Sequence, residues 1–233
     1  GIIHYYVTAA DRCVQAGLDV LEVQTSSDYL LGSFLNPQLN NRVDAYGGSV
    51  GNRCRIVVEI LEAIRAKLPS TVALGIRTSI YHAIPGEWDG YTIDHSLPAM
   101  EYIAASGLID YLSVMSGSNT NFAETIAPMT FPRPQIADQS AKFKQALDIP
   151  ITVAGRVVTP DEAEAILAKD QADLVGVARA FIADADWMAK AESGDEKRIR
   201  LCTGCNQVCL GFAGRALPAG CNINPEAGRE IEL

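Results

Sequence analysis

The sequence predicts an α/β protein built on a parallel sheet. Short apolar, β-branched runs alternate with longer stretches of helical periodicity, and five such strand–helix units follow one another. Each strand run has the composition of a strand buried in a sheet, and such alternation implies parallel pairing. No internal repeat is stronger than this one, and no low-complexity tract interrupts it.

The elements follow in order. Ile3 to Ala16 reads as a helix closed by Gly17, a C-cap residue. Leu18 to Gln24 is a strand. A long polar loop rich in Asn, Gly and Ser then runs to Ser49, which can cap the next helix. In that helix Ile56, Val57, Ile60, Leu61, Ile64 and Leu68 share one face. Val72–Thr78 is a strand, and Asp94–Ala105 a helix closed by Gly107. Ile109–Met115 is a strand and Pro134–Leu147 a helix. Ile151–Ala154 is a strand, followed by a helix over Pro160–Ala168 with Thr159 as N-cap and Pro160 at its first position. Asp173–Val177 is the last strand, and Ala185–Ser193 a helix. Two architectures fit these units. One is a five-stranded doubly wound sheet; the other is part of an eight-stranded (β/α)8 barrel, which typically takes about 250 residues. Periodicity does not choose between them.

Composition narrows the function. Hydrophobic residues make up 48% of the 233, enough for a sizeable core and against wholesale disorder. Lys and Arg number 19 against 28 Asp and Glu, a net charge of −9, whereas nucleic acid and anionic membrane surfaces want a basic face. No apolar run approaches the ~20 residues of a membrane span, and no signal-peptide pattern is present. The chain starts at Gly1 rather than Met, compatible with processing or truncation.

Function in both architectures collects at the C-terminal ends of the strands. Two successive strands here end in Gly155-Arg156 and Ala178-Arg179. A small residue lets backbone N–H groups approach an anion, and arginine adds a charged fork. A phosphate, as on flavin mononucleotide (FMN), is one reading; two surface arginines paired with Asp184 or Glu162 is the other. Arg77 also ends a strand, where a cation can stabilise negative charge on the pyrimidine edge of a reduced flavin or serve the fold alone. Asp28 and Tyr29 follow the first strand. They are candidates for a proton donor or substrate contact, although a packed aromatic is the plainer role for Tyr29. Of the three histidines, His4 and His95 belong to helices, while His82 lies in the loop after the second strand and can face the site.

The strongest signal is in the tail. Cys202, Cys205 and Cys209 form C-x₂-C-x₃-C, and Cys221 follows after eleven residues. Four thiolates suffice for zinc or an iron–sulfur cluster. Structural zinc usually takes two separated C-x₂-C knuckles, while three cysteines in eight residues suit the closely spaced corners of a [4Fe–4S] cubane. Zinc, disulfides and free thiols are the alternatives. Cys13 and Cys54 read as small packed residues on helices.

Three stretches carry a resemblance. Tyr29-Leu-Leu-Gly-Ser-Phe-Leu-Asn-Pro37, Asn41-Arg-Val-Asp-Ala-Tyr-Gly-Gly-Ser49 and Asn52-Arg53 resemble the long loop of Old Yellow Enzyme-type NADH:flavin oxidoreductases. Asp173 to Asp184 is similar to that family's last barrel strand. The spacing Cys202 to Cys221, with Asn222-Ile-Asn-Pro225, is similar to its iron–sulfur branch, which includes trimethylamine dehydrogenase and 2,4-dienoyl-CoA reductase. The resemblance covers nearly the whole chain.

It implies a (β/α)8 TIM barrel, entered before its fourth strand and so N-terminally incomplete, followed by a cysteine-rich iron–sulfur segment. Residues 1–199 would be the partial FMN-binding barrel, and residues 200–233 the [4Fe–4S]-binding segment and the start of a linker. Arg77 would touch the flavin ring; Gly155, Arg156, Ala178 and Arg179 would hold its phosphate; Cys202, Cys205, Cys209 and Cys221 would bind the cluster. The cluster would relay electrons to a second redox centre, either a downstream FAD and NAD(P)H domain or an electron-transfer flavoprotein. A homo-oligomer is compatible with this. Many members carry a His-x-x-His or His-x-x-Asn pair that binds the substrate's carbonyl or phenolate oxygen; here those positions are Gln24 and Ser27, which donate hydrogen bonds but offer no imidazole. Thr25-Ser26 followed by Asp28 is faintly similar to N-demethylating members. No Gly-x-Gly-x-x-Gly fingerprint occurs.

The expectation is therefore hydride transfer between flavin and a small substrate. That substrate is an enoyl-CoA or other activated alkene to be reduced, or an N-methylated amine to be oxidised. For an amine cation, Asp28, Tyr29, Glu87, Trp88 and Glu124 are available at the mouth. The rivals are a zinc-stabilised binding module without redox chemistry and an inactive fragment, since a barrel lacking three strands is expected to hold FMN weakly or not at all. A cytoplasmic location is expected, because a cluster needs reduced thiols.

Overall fold

The computed structural model describes residues 1–81 and 90–231. A first helix, α1 (Ile2–Gln15), leads into strand β1 (Val20–Gln24). Then come α2 (Leu30–Leu35), α3 (Val50–Arg65), β2 (Ala73–Ile80), α4 (Ile93–Ala104) and β3 (Tyr111–Ser116). The short α5 (Phe122–Thr125) precedes α6 (Ala137–Ala146), β4 (Ile151–Ala154), α7 (Pro160–Ala168) and β5 (Leu174–Gly176). Beyond the sheet lie α8 (Arg179–Ala183), α9 (Trp187–Glu192), a 3₁₀ turn (Glu196–Arg198) and α10 (Leu210–Ala213).

The five strands are parallel and ordered β1-β2-β3-β4-β5. This settles the choice that periodicity left open. A doubly wound sheet reverses its strand order at a switch point and carries helices on both faces. Unbroken sequential order with right-handed crossovers puts every helix on one face. The sheet is accordingly a stretch of (β/α)8 barrel wall.

Strand alternation divides the side chains between two faces. Leu21, Val23, Leu74, Ile76, Leu112, Val114, Ile151 and Val153 are buried on the helix side. They form one core with Ile56, Val57, Ile60 and Ile64 of α3, Met100 and Ile103 of α4, Phe143 of α6 and Ile166 of α7. Each such side chain, fully buried, contributes about 1.5–3 kcal/mol. The alternate set, including Glu22, Gln24, Gly75, Arg77 and Tyr111, lines the inner face. At that face's two edges Val20 and Leu174 are each 54% exposed.

The predicted caps form. Ser49 Oγ accepts from the Asn52 N–H at 3.3 Å. Thr159 and Glu162 make a capping box: Oγ1 accepts from the Glu162 N–H, and Oε2 accepts from the Thr159 N–H, each at 3.2 Å. Gly17 and Gly107 follow α1 and α4 with φ of +80° and +69°, the left-handed geometry of a C-terminal stop.

Some boundaries differ from expectation. The loop before Ser49 contains α2, because Leu31 and Leu35, one turn apart, reach the core through a polar stretch. Leu68 lies past the end of α3, and β2 runs on to Ile80. The helix expected at Ala185–Ser193 is α9, and a further short helix, α8, precedes it. Asp184 between them accepts from Lys190 Nζ at 2.7 Å and from the Asp186 and Arg200 N–H groups at 3.1 and 2.8 Å.

The tail docks on the barrel wall. Ala180, Trp187 and Ile199 form a second small core. Trp187 Nε1 donates to the Val158 carbonyl at 2.9 Å. Asn224, buried, accepts from Arg200 Nη1 at 2.9 Å and donates to the Ile182 carbonyl at 3.0 Å. Among the described residues no helix is long and apolar enough to cross a membrane.

Candidate functional site

The C-terminal ends of β2, β4 and β5 open into a cleft of about 290 Å³. Its walls include Arg77, Gly155, Arg156, Ala178 and Arg179, the five residues that the strand ends had singled out. Cys202 joins them from the tail.

Among the described residues neither Arg156 nor Arg179 makes an ion pair. Arg156 sits at φ +54°, its Nη1 donates to the Phe131 carbonyl, and its Nε is buried without a hydrogen-bond partner. Burial lowers its pKa below the ordinary arginine value, and repulsion from Arg133 and Arg179 adds to the effect. Arg179 Nη1 donates to the Ala127 carbonyl at 2.8 Å and to Asn206 Oδ1 at 2.6 Å. Pairing of these two with Asp184 or Glu162 does not occur. Asp184 holds Lys190, and Glu162 holds Arg133 at 3.4 Å as well as the α7 cap. The floor beside them is glycine. A Cβ on Gly176, which lines the cleft, would lie 3.0 Å from Ala154 Cβ. An orphaned buried N–H, two guanidinium groups and a side-chain-free floor fit a phosphate-bearing cofactor with a flat ring.

Arg77 projects from β2 with its side chain 43% exposed. Its Nε lies 2.6 Å from Glu22 Oε1, an ion contact in which the N–H does not point at the carboxylate.

Cys202, Cys205, Cys209 and Cys221 line one small pocket, of which Arg179 is also a wall. All six cysteines are free thiols. A tetrahedral zinc with bonds of about 2.3 Å needs sulfurs about 3.8 Å apart. A donor set of four thiols around one pocket fits a group that offers each sulfur its own metal corner. Asn222 Nδ2 donates to Cys205 Sγ at 3.5 Å. The Cys205 thiol is lowered, first by the Gln207 N–H and also by Thr203 and Asn222, whereas burial raises Cys209. Cys54 is a different case. It is wholly buried, donates to the Ala99 carbonyl at 3.7 Å, and burial pushes its pKa up to about 12. It is an inert core thiol.

The loop after β1 carries the proposed substrate contacts. Gln24 is exposed on the inner face, in register with Arg77. Ser27 and Asp28 are consecutive non-glycine residues at φ +60° and +58°. The Ser27 N–H donates to Ser79 Oγ at 2.8 Å. The Asp28 carboxylate accepts from Tyr81 Oη at 2.7 and 2.8 Å and from Asn36 Nδ2 at 3.3 Å. Tyr29 is 51% exposed, so the packed-aromatic role falls: its ring precedes α2 and turns outward while Leu31 and Leu35 take the core side. None of the four lines the cleft. The loop meets it through Ser26, whose Oγ is 3.5 Å from the Sδ of cleft residue Met115.

Tyr81 and Asn36, both buried, were not anticipated. Tyr81 lies just past a strand that runs longer than its apolar core, and that position was the available signal. Glu124 is buried and accepts from Ser116 Oγ at 3.0 Å and Asn121 Nδ2 at 2.8 Å. His95 Nδ1 lies 3.3 Å from Thr92 Oγ1 at the start of α4, and His4 is exposed on α1. His82, Glu87 and Trp88 lie outside the described residues.

Comparison with known proteins agrees with the geometry. The chain is 36% identical over 232 residues to a metal reductase of Desulforamulus reducens, a match that takes in 100% of this chain and 34% of that protein. A 2-naphthoyl-CoA reductase, solved with 2-naphthoyl-CoA, superposes over 99% of this chain and 34% of its own with a TM-score of 0.88 and 29% identity. Histamine dehydrogenase from Rhizobium sp. 4-9 gives 0.88 and 27% over 98% of this chain and 32% of its own. The chain thus spans about a third of the length of these relatives. The family model of NADH:flavin oxidoreductases and NADH oxidases matches residues 1–198, and it is to this family of flavin-dependent oxidoreductases that the chain belongs.

Proposed function

We propose that this chain is the flavin-holding part of an oxidoreductase that carries FMN in the arginine cleft and a [4Fe–4S] cluster on Cys202, Cys205, Cys209 and Cys221. The observation that carries the reading is that Arg179 and Cys202 line both cavities. Two cofactors seated there would share a wall, as a short electron path requires. Residues 1–199 would form the flavin barrel and residues 200–233 the cluster segment. Bound there, FMN supplies hydride exchange with the substrate and the cluster supplies single-electron transfer.

The chain's own residues orient and neutralise. Arg156 and Arg179 hold the phosphate, the Gly155 and Gly176 backbone admits it closely, and Arg77 faces the ring where negative charge develops. Gln24, Ser27, Asp28 and Tyr29 shape the substrate side, with Tyr81 and Asn36 fixing Asp28. The substrate is a small molecule. One similar structure is named as a reductase of an aryl-CoA thioester and another as an amine dehydrogenase. An activated alkene to be reduced and an N-methylated amine to be oxidised are therefore the two directions to assay. The electron partner would be an FAD and NAD(P)H region or a separate flavoprotein.

The test uses the full-length protein. Stoichiometric FMN, acid-labile sulfide and broad visible absorption are expected, with turnover of either enoyl-CoA or methylated amines. A colourless protein with one zinc per chain would establish the zinc-stabilised binding module instead. Activity on neither substrate class would remove both substrate assignments.

A further inference from the structure

On the inner face of the sheet, one row of side chains is built around Arg77. Glu22, Gly75 and Tyr111 are register partners across β1, β2 and β3. The Tyr111 ring occupies the space that a side chain at Gly75 would take: a Cβ there would lie 2.3 Å from ring atoms Cε1 and Cζ. From that position Tyr111 Oη donates to Glu22 Oε2 at 3.3 Å and to the Leu21 carbonyl at 3.4 Å. The other carboxylate oxygen, Oε1, is the one 2.6 Å from Arg77 Nε. Burial, and then the Glu22 charge, raise the Tyr111 pKa above the usual phenol range, so the ring keeps its proton and remains a donor. The Arg77 side chain makes no other ion pair or hydrogen bond among the described residues, and Arg77 is one of the residues that line the cleft.

We propose that Glu22 is a positioning residue which, held by Tyr111, fixes Arg77 and sets how much of its positive charge reaches the flavin site. The inference rests on FMN occupying the cleft, as proposed above. Its physical content is a sign. A cation at the flavin edge stabilises the reduced, more negative ring and raises its potential. A carboxylate locked against that cation offsets part of the effect. Removing the carboxylate's charge must raise the flavin potential. Removing the Tyr111 hydroxyl, whose hydrogen bond draws charge from the carboxylate, must strengthen the offset and lower it. A purely structural role for this row would not give opposite signs.

The experiment is spectroelectrochemical titration of FMN in the full-length protein, comparing wild type with Glu22→Gln and Tyr111→Phe. A higher potential in E22Q and a lower one in Y111F are the expected results. An E22Q potential that is unchanged or lower overturns the inference, as does a Y111F potential that stays or rises. If E22Q does not retain FMN, the Y111F shift decides alone. Should the wild-type protein itself bind no FMN, the proposed function falls and this inference with it. An FMN-replete wild type with unshifted variants sinks the inference only.

Discussion

Replacing Arg156 by Gln separates the cost of the cleft from its purpose. In the free protein Arg156 contributes little to the fold. It has one hydrogen bond, to the Phe131 carbonyl, a buried Nε without a partner, and two arginines repelling it. An unsatisfied buried donor costs about 1–3 kcal/mol. Glutamine removes both that donor and the charge. Position 156 is left-handed at φ +54°, a cost that any non-glycine residue meets there, so the variant isolates charge from backbone. The FMN-free variant is expected to be as stable as wild type or more so. Binding behaves oppositely. A hydrogen bond to a charged group contributes about 1.5–3 kcal/mol, which is roughly a 10- to 150-fold rise in Kd for FMN. The assay has two halves on the full-length protein stripped of FMN. Titration with FMN, followed by quenching of flavin fluorescence, gives Kd; denaturant unfolding without FMN gives stability. FMN affinity within twofold of wild type would refute the reasoning. So would a loss of more than about 2 kcal/mol of FMN-free stability, because Arg156 would then be serving the fold.

Two further perturbations test other parts. Gly176→Val should abolish stoichiometric FMN retention in the full-length protein, because its side chain would stand on the cleft floor, and it should also lower the FMN-free unfolding midpoint, because its Cβ would lie 3.0 Å from Ala154 Cβ; normal FMN content in G176V would remove the cleft assignment. Cys54 should make the fold sensitive to alkali. Its folded pKa of about 12 stands above the unfolded 9.0, so its contribution is fully present below pH 9 and is lost as pH rises from 9 towards 12. That loss is about 1.4 kcal/mol by pH 10. Cys54→Ala should therefore have a flatter stability profile between pH 8 and pH 10 in denaturant titrations, and a profile parallel to wild type would show that the thiol titrates normally.

The strand–helix alternation was legible because it rests on local chemistry. Ser49, Thr159, Gly17 and Gly107 announce helix ends through their own side chains or lack of one, and each does so in the structure. The barrel was not legible from periodicity, since strand order is a relation between segments. The clustered cysteines and the Gly-Arg and Ala-Arg strand ends were legible as candidates because each is a local pattern, and the fold brings Arg156, Arg179 and Cys202 to one cleft. The Glu22–Arg77–Tyr111 row was hidden for the opposite reason. Its members stand 55 and 34 residues apart along the chain, and only the register brings them together. Asp28 was visible as a strand-end carboxylate, but its partners Asn36 and Tyr81 were not, because one sits inside a helix-bearing loop and the other beyond a strand's apolar core.

Backbone strain ties these parts to function. Among the described residues, six that are not glycine have positive φ. Asp170 and Ala216 follow α7 and α10 and close short helices. The other four are Ser27, Asp28, Arg156 and Asn206. Each belongs to a loop around the cleft or the cysteine pocket, and each costs about 1–3 kcal/mol unless its surroundings compensate. The compensation is visible at every one. Ser79 holds the Ser27 N–H, and Tyr81 and Asn36 hold Asp28. The Phe131 carbonyl holds Arg156, and Asn206 is clamped between Arg179 and the Ile126 carbonyl at 2.6 Å on both sides. A chain selected for stability alone would place glycine at such positions. These four instead carry a hydroxyl, a carboxylate, a guanidinium and an amide, so the side chains are retained at the expense of the backbone. Of them only Arg156 lacks a partner for a buried polar atom, which places the outstanding demand for a ligand at the anion side of the cleft.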